Sequence, residues 1–325
     1  MATTSSFFIF LTYIYVEDIM KKKIKVGIPR ALLYYRDYIL WKNFFEEIGC
    51  NVIVSPKTNK DILDSGKALS IDESCLPFKI YLGHIDYLKD KCDYILVPRI
   101  NNYGRGKRVC MKFAGIYDVV KQVFPDINIL NYDIDYLRGK FEFFEYIKMG
   151  FKVNKNIFRI INSYFVGKSK SKKYFQELEN SQVNVLKSNK LKILIVAHPY
   201  VIYDDYLGSN IIKYLKDMDV DILYSDRMNR RESIYYADAF SNTLYFLYSK
   251  EIIGSVFYYK EAVDGIIFLS SFPCGPDSLV NELAIRKISG IPLINITIDE
   301  SSATSGLITR LESFVDIIKA RRDNG

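Results

Sequence analysis

The sequence predicts an α/β protein with two doubly wound parallel-sheet lobes of the Rossmann or flavodoxin-like type. Apolar runs rich in valine and isoleucine alternate with amphipathic helical patterns, an order typical of parallel sheets flanked by helices. The opening unit also recurs. A strand closed by Pro29 leads through a helix to a strand at Asn51, and a strand closed by Pro199 leads through a helix to a strand at Val220. The similar spacing indicates two copies of one α/β unit.

These patterns divide the chain into four predicted parts. A lysine-rich stretch with few strand signals separates the two α/β units, and we interpret it as a helical connecting segment. The predicted parts are an N-terminal extension at 1–19, a first lobe at 20–132, the connecting segment at 133–190 and a second lobe at 191–325.

The first residues are interpreted as an extension without a role in the fold. Their apolar run, Phe7 to Val16, is shorter than the roughly 20 residues that a membrane-spanning helix needs. Lysines follow this run, whereas a secretory signal has them in front. Met20 directly precedes those lysines and is the expected start of the protein, so we predict no membrane association.

Composition narrows the class of protein. The chain has 325 residues, of which 49% are hydrophobic and 26% charged, enough for two folded domains. Its five cysteines are an odd number and too few for a disulfide framework of this size, which favours a reducing, cytoplasmic location. The net charge of +7 is spread over surface lysines, and no aromatic pattern suited to stacking bases is present. We therefore expect no nucleic-acid partner.

The cysteines fall into two groups. Cys75, Cys110 and Cys274 lie where the chain passes from a strand edge toward a helix, and a helix start favours thiolate over thiol. Ligands of parallel sheets gather beyond the carboxyl ends of the strands, so these three could face one crevice between the lobes. Cys50 and Cys92 each follow a helix and precede a strand, which predicts structural thiols at the opposite edge.

Three converging thiolates have more than one use. They can hold zinc with a fourth ligand, or an iron–sulfur cluster with one open iron. Three unrelated buried cysteines are the plainer interpretation. A Cys-x-x-Cys pair would argue against it, and the chain contains none. The residues by themselves leave these alternatives open.

Several motifs in combination resemble one family. The chain is similar to the 2-hydroxyacyl-CoA dehydratase iron–sulfur subunit superfamily, and within it to the acyl-CoA dehydratase activase-related proteins, formerly a domain of unknown function. The likeness runs from about residue 24 to 318. It rests on Gly27-Ile-Pro-Arg-Ala-Leu-Leu-Tyr-Tyr35, Asp72-Glu-Ser-Cys-Leu-Pro-Phe-Lys79, Pro98-Arg99, Cys274-Gly-Pro-Asp277 and Thr309-Arg-Leu-Glu-Ser-Phe-Val-Asp316.

The resemblance implies a cofactor, an electron source and a substrate class. Cys75, Cys110 and Cys274 would hold a single four-iron, four-sulfur (4Fe-4S) cluster between α/β domains. A separate ATP-dependent activase would supply low-potential electrons, since the chain lacks a Gly-x-x-x-x-Gly-Lys phosphate loop of its own. The substrate would be a small acyl thioester, such as an acyl-CoA, or a similar molecule, and the protein could form a dimer.

Two departures from the family pattern limit what the resemblance implies. Met111 follows the second cysteine where the family often has proline, which should leave ligation intact. Thr304-Ser305 stands before Gly306, where an acidic residue and alanine are expected, and this leaves the substrate open. The chain could be a dehydratase-like lyase, an ATP-dependent reductase component, a non-catalytic cluster carrier, an activase-docking scaffold or a zinc-thiolate protein. No catalytic residue is assigned.

Four further residues are candidates for substrate contact or for support of the cluster. Arg30 and Arg99 each follow a proline at a strand end and could bind a carboxylate or phosphate, although surface or capping roles fit equally well. His198 follows a strand and could face the crevice. Glu300 is an acid–base candidate only through the family resemblance.

Overall fold

The computed structural model describes residues 23–241, 244–300 and 304–324, and the predicted extension at 1–19 lies outside them. The first part of the chain alternates strands and helices. Its elements are β1 (Lys25–Ile28), α1 (Tyr34–Ile48), β2 (Asn51–Val54), α2 (Lys60–Ala68), α3 (Leu76–Leu88), β3 (Tyr94–Leu96), β4 (Arg99–Asn102), α4 (Met111–Val123), β5 (Ile129–Leu130) and β6 (Asp133–Asp135).

Two helices follow, and the second part of the chain then alternates strands and helices again. These elements are α5 (Glu142–Gly150), α6 (Ile157–Leu186), β7 (Leu191–Val196), α7 (Pro199–Ile202), α8 (Ser209–Asp217), β8 (Val220–Tyr224), α9 (Arg230–Phe240), α10 (Leu247–Tyr259), β9 (Gly265–Ser271), α11 (Gly275–Lys287), β10 (Leu293–Ile298) and α12 (Thr304–Asp323).

The strands form parallel sheets in each part of the chain. The first sheet has the order β2-β1-β3-β5 and the second has the order β10-β9-β7-β8. All their pairings are parallel. The central strands are apolar on both faces, and β9 is buried along its whole length, as expected for sheets covered by helices on both sides.

Helix α1 shows how local sequence sets an element. Its apolar residues recur at helical spacing, and the side chains of Leu40, Trp41, Phe44 and Ile48 are buried against the core. The helix ends at Gly49, whose φ of 103° is in the left-handed region that glycine adopts without strain.

Two glycines set the distance between α2 and α3. A Cβ atom on Gly83 would lie 1.9 Å from the carbonyl oxygen of Ile62, and one on Gly66 would lie 1.9 Å from that of Lys79. Only glycine allows this approach of the two backbones. The contact therefore fixes where α3 begins, and that helix carries Cys75 at its start.

A third sheet joins β4 to β6 in parallel, and β6 lies inside the segment predicted to be helical. This strand escapes sequence analysis because Asp133 and Asp135 flank its apolar residue. Both aspartates are buried, and they accept hydrogen bonds from the side-chain amides of Asn101 at 3.0 Å and Asn102 at 2.6 Å. In the sequence these two aspartates look like exposed charged residues, whereas in the structure they are buried and hydrogen-bonded to the asparagines of β4.

The prediction of two doubly wound Rossmann or flavodoxin-like lobes is wrong, although the α/β class and the parallel sheets are observed. The described residues form three sheets, and one apolar cluster includes residues from Val26 in β1 to Ile318 in α12, while a second cluster lies within the second part of the chain. The physical reason is that side chains from both large sheets, including Ile28 and Ile195, belong to the same packed cluster. The first sheet therefore shares its apolar core with one face of the second sheet, and the other face of the second sheet has a cluster of its own.

No helix within the described ranges combines the length and the apolar character needed to cross a lipid bilayer.

Candidate functional site

The carboxyl edge of the second sheet gathers several chemically active side chains. Cys274 follows β9, His198 follows β7, Glu300 follows β10 and Arg227 follows β8. Parallel strands end at the same edge, so the chain order places these residues side by side where ligands of such sheets bind. The sequence placed Cys274 and His198 at strand ends for the same reason.

Each of the three candidate thiols directly precedes a helix. Cys75 is the residue before α3, Cys110 the residue before α4 and Cys274 the residue before α11. Pro77 and Pro276 lie in the first turns of α3 and α11, where a missing N–H costs no hydrogen bond. The local sequence thus explains why the helices begin at these positions.

The structure brings the three thiols into one neighbourhood. Charge on Cys110 raises the pKa of Cys75, and charge on Cys75 raises the pKa of Cys274. Tyr200 lies close enough to all three that each of them raises its pKa, although burial is the largest cause. The Leu76 N–H also donates to the carbonyl oxygen of Phe272 at 3.1 Å, which joins the start of α3 to the turn before Cys274.

Burial and the helix starts act in opposite directions on these thiols. Burial is the largest influence and raises the pKa of Cys75, Cys110 and Cys274. The backbone N–H groups of the following helical turns lower each pKa, but by less than burial raises it. The preference for thiolate that the helix starts suggested is therefore outweighed. Ligation of a metal or cluster needs the thiolate, so loading of this site must release protons.

His198 and Asp277 form a buried pair beside the thiols. Nε2 of His198 and Oδ1 of Asp277 lie 2.9 Å apart, and the two residues are 6% and 4% exposed. Burial raises the pKa of Asp277, but the charge and hydrogen bond of His198 and the contact with Cys274 bring it below its ordinary value. The His198 ring also stacks on Tyr200 with a centroid distance of 5.0 Å. The hydrogen bond to Asp277 and the stacking on Tyr200 thus hold the imidazole ring in one orientation.

The sequence analysis gave no role to Asp277 or to Lys112. Lys112 lies 4.9 Å from the centre of the Phe78 ring and lowers the pKa of both Cys75 and Cys110. Each residue follows a candidate cysteine within three positions along the chain. A charged residue in the first turn after a helix-starting cysteine is the signal that could have identified them.

The other sequence-predicted residues lie in separate contacts. Arg30 donates from Nε to the carbonyl oxygen of Ser55 at 3.2 Å and packs over the Tyr34 ring at 5.5 Å. Within the described part of the chain its terminal guanidinium nitrogens have no hydrogen-bond partner, so Arg30 keeps the capacity to bind an anion.

Arg99 and Glu300 are both engaged in ion pairs. Arg99 pairs with Asp118 on α4 and lies 5.0 Å from the Tyr117 ring, so it holds that helix against β4. Glu300 accepts from Lys79 at 2.7 Å and pairs with Lys67 at 2.8 Å. It therefore ties the end of β10 to α2 and α3.

The two remaining cysteines lie at the other end of the first sheet. Cys50 immediately precedes β2, and Cys92 lies just before β3. Burial raises the pKa of Cys50 to about 12 and that of Cys92 to about 11. The Cys92 sulfur would lie 2.8 Å from a Cβ atom on Gly27, so it fills the space beside β1.

In the ranges that the structure describes, no group of three or more histidine, cysteine or acidic side chains is arranged to hold a metal ion. Thiolates on one tetrahedral zinc lie about 2.3 Å from it and hence about 4 Å from each other. The ligands of a 4Fe-4S cluster bind different iron atoms at its corners and are further apart. The three thiols at helix starts remain a donor set for which both zinc and an iron–sulfur cluster are candidates.

A protein family described as "CoA enzyme activase uncharacterised domain" matches residues 25–228. The chain belongs to this family. The matched region contains Cys75 and Cys110 at the starts of α3 and α4, and it ends before Cys274. Membership in an activase-related family indicates interaction with an enzyme partner.

No curated protein matches this sequence. Among solved structures, the SBP FpvC from P. aeruginosa in complex with Ni²⁺ is 11% identical, with a TM-score of 0.28 over 94% of this chain and 98% of its own. A Zn(II)-bound mutant variant of AdcAII from Streptococcus pneumoniae is 11% identical, with a TM-score of 0.29 over 91% and 98%. The laminin-binding protein Lbp of Streptococcus pyogenes is 9% identical, with a TM-score of 0.27 over 92% and 98%.

Such low TM-scores carry no argument about the fold, ligand or mechanism of this chain. The correction of the predicted two-lobe fold rests on the observed sheets and on the apolar cluster that joins them.

Proposed function

We propose that this member of the activase-related family is an iron–sulfur protein of the 2-hydroxyacyl-CoA dehydratase type. It would hold one 4Fe-4S cluster through Cys75, Cys110 and Cys274. A separate ATP-dependent activase would be its enzyme partner and electron donor, and a small acyl thioester or similar molecule its substrate. One observation carries the proposal: three thiols from distant parts of the chain each directly precede a helix, and all three lie close enough to Tyr200 to raise its pKa.

When bound, a cluster of this kind supplies one-electron transfer at low potential. The protein would contribute binding, orientation and exclusion of water. The half-buried thiols limit access of solvent, and the backbone N–H groups at the three helix starts together with Lys112 favour negative charge on the ligands.

His198 and Arg30 would contact the bound substrate. Asp277 holds His198 through Nε2, which leaves Nδ1 of the ring to donate or accept a proton at a bound molecule. Arg30 has the unpaired guanidinium nitrogens needed for an anionic group of the substrate. Arg99 and Glu300 are already paired, so we assign them to structure around the site.

Metal analysis of anaerobically purified or reconstituted protein tests the proposal. We expect about four irons per chain and a broad absorption near 400 nm that fades on reduction. Cys75→Ala, Cys110→Ala and Cys274→Ala should each abolish the cluster, whereas Cys50→Ala and Cys92→Ala should retain it. Colourless protein that takes up no iron would rule the proposal out.

The same samples distinguish the alternatives. A zinc-thiolate protein would contain zinc in place of iron. A non-catalytic cluster carrier or docking scaffold would have the same colour and iron content, but acyl thioesters would not change the spectrum of its reduced form. The five free cysteines of the described chain support a cytoplasmic location under this proposal.

A further inference from the structure

Four phenylalanines are exposed on the hairpin that α5 and α6 form. Phe144 is 63% exposed, Phe151 39%, Phe158 80% and Phe165 58%. A fully exposed phenylalanine presents about 200 Å² of side chain, so the four rings leave on the order of 500 Å² of apolar surface in water. Soluble proteins rarely expose apolar patches of this size except where they bind something. This surface is therefore a candidate interaction site.

The four rings share one face of the hairpin. Phe144 and Phe151 lie two helical turns apart at α5, and Phe158 and Phe165 lie two turns apart in α6. Residues at this spacing point in the same direction, about 10 Å from each other. Phe151 directly follows α5 and keeps helical backbone angles, so the spacing holds for it as well.

The two helices run antiparallel and pack in a fixed register. Near the start of α5, the ring centres of Phe143 and Phe165 are 5.9 Å apart. Near its end, a Cβ atom on Gly150 would lie 2.5 Å from the Ile160 side chain. This register brings each exposed ring of α5 beside an exposed ring of α6, so the four form one patch.

The exposed charges among these rings belong to lysines. Lys148 lies between the two rings of α5, and its side chain is 76% exposed. Lys152 and Lys155 follow in the turn to α6 and, among the described residues, donate only to backbone carbonyl oxygens. The acids of α5, Glu142 and Glu145, are mostly buried, with side chains 20% and 12% exposed.

The patch also has a cation on the side toward α1. Arg159 is exposed, and its Nε donates to the carbonyl oxygen of Glu47 at 2.9 Å. The Glu47 carboxylate lies 3.6 Å from Lys170 and so already has a partner. Cations therefore outnumber unpaired acids around the rings, which favours a negatively charged binding partner.

We propose that this face of the α5–α6 hairpin binds the surface of an anionic lipid bilayer. The rings enter the boundary between head groups and acyl chains, and the lysines pair with the negatively charged head groups. Phe158 projects from the surface instead of lining a groove, which suits insertion into a fluid layer. The contact is peripheral and needs no apolar run long enough to span the bilayer, whereas the expectation of no membrane association rested on the length of such a run.

Two other occupants fit the surface less well. A second copy would bring two sets of lysines together, and like charges across an interface oppose association. An activase that supplies electrons must approach the three thiols, which lie by the carboxyl edge of the sheets. Phe151 and Phe158 lie instead near the amino edge of the first sheet, where Asn154 donates to the carbonyl oxygen of Ile48 at 2.8 Å.

Vesicle co-sedimentation of the full-length protein tests this inference. The probes are vesicles of phosphatidylcholine alone and vesicles of equal parts phosphatidylcholine and phosphatidylglycerol. We expect binding to the anionic vesicles that is at least about tenfold tighter than binding to the neutral ones and that weakens as salt is added.

Substitutions separate the contributions of the rings and the lysines. Phe158→Ser together with Phe165→Ser should weaken binding to anionic vesicles at least about tenfold, because the rings no longer leave water. Ile317→Ser, at an exposed position of α12, is the matched control and should bind like the wild type. Lys152→Gln together with Lys155→Gln should weaken binding to anionic vesicles only. Thermal unfolding checks that the variants remain folded.

A fluorescent reporter locates the contact. The chain has one tryptophan, Trp41, and it is buried. The emission of Phe158→Trp should shift to shorter wavelength when anionic vesicles are added, whereas that of Tyr235→Trp on α9, also an exposed position, should not shift.

Several results would overturn the proposal. They are no binding to anionic vesicles, equal binding to neutral ones, a dimer that loss of the two rings abolishes, or vesicle binding that persists without the rings and so belongs to another segment, such as the apolar run at 7–16. None of the substitutions removes a cysteine, so iron content tests the proposed function separately.

Discussion

At the scale of single residues, neighbours decide what a charged side chain does. The sequence pattern around Asp204 is that of a simple helix cap, and the backbone N–H of Tyr206 does bond to it at 2.9 Å. The side chain is nevertheless only 1% exposed and also accepts from Thr58 at 2.6 Å and Tyr35 at 3.0 Å. Local sequence reveals the turn, but the two distant donors come from the fold.

Asp37 provides a test at this scale. Burial raises its pKa to about 6, which the charges of Arg36 and Arg230 only partly offset. Since the ordinary value is about 3.9, the folded state binds this proton more tightly, so ionisation increasingly disfavours the fold from about pH 4 and does so fully above about pH 6. Asp37→Asn should therefore stabilise the protein at pH 7, by an amount on the order of 2 kcal/mol.

The advantage of Asp37→Asn should fall as the pH drops through 6 and vanish below about pH 4, where both forms of the protein are neutral at this position. Chemical denaturation of variant and wild type at several pH values measures it. Asp126→Asn, at an exposed site, is the control and should show no such trend. A constant difference from pH 4 to 7 would contradict the assignment.

At the scale of elements, sequence patterns located most helices and strands but not their contacts. The sequence analysis placed a helix between the first two strands, and Pro29 and Pro199 marked the ends of β1 and β7. The pattern failed at β6, where aspartates satisfied by distant asparagines hide a strand. A strand is recognised by its apolar alternation, and that signal disappears when the buried partners are polar.

The α2–α3 contact provides a second test. Gly83→Ala would place a methyl group 1.9 Å from the Ile62 carbonyl oxygen, so the helices must separate. We expect a loss of about 2–4 kcal/mol in the free energy of unfolding. Under the proposed function, retention of the cluster during purification should fall as well, because α3 begins directly after Cys75.

Gly115→Ala on α4 is the matched control, since nothing lies within 4 Å of its new methyl group. Alanine is the better helix former, and this variant should be as stable as the wild type or up to about 1 kcal/mol more stable. Thermal unfolding and iron content compare the two variants. Equal behaviour would show that the glycine contact does not set the position of α3.

At the scale of the whole molecule, a buried polar chain joins the two parts of the structure. The Thr58 hydroxyl donates its single proton to Asp204, so Nε2 of His84, 3.0 Å away, must donate the proton of the second bond. Burial lowers the pKa of His84 to about 3, consistent with a neutral ring. The ion pair of Arg36 with Glu251, at 2.7 Å, joins α1 to α10 in the same way.

Thr58→Val tests the importance of this chain. Valine keeps the shape but removes the hydroxyl, which leaves His84 and Asp204 buried without that partner. We expect a loss of about 2–4 kcal/mol in stability, measured by denaturant unfolding. Ser169→Ala, which removes a hydroxyl at an exposed position of α6, should change stability by less than about 0.5 kcal/mol. Two variants of equal stability would show that water replaces the hydroxyl.

The sequence alone determined the α/β class, the parallel strands and the placement of Cys75, Cys110 and Cys274 at helix starts, because each depends on patterns within a few residues. Only the tertiary structure decided that one apolar cluster joins the two large sheets, that the three thiols are neighbours and that Asp277 holds His198. These features depend on contacts between residues far apart in the chain. Such contacts form when the chain packs, and patterns within a few residues of sequence do not reveal them.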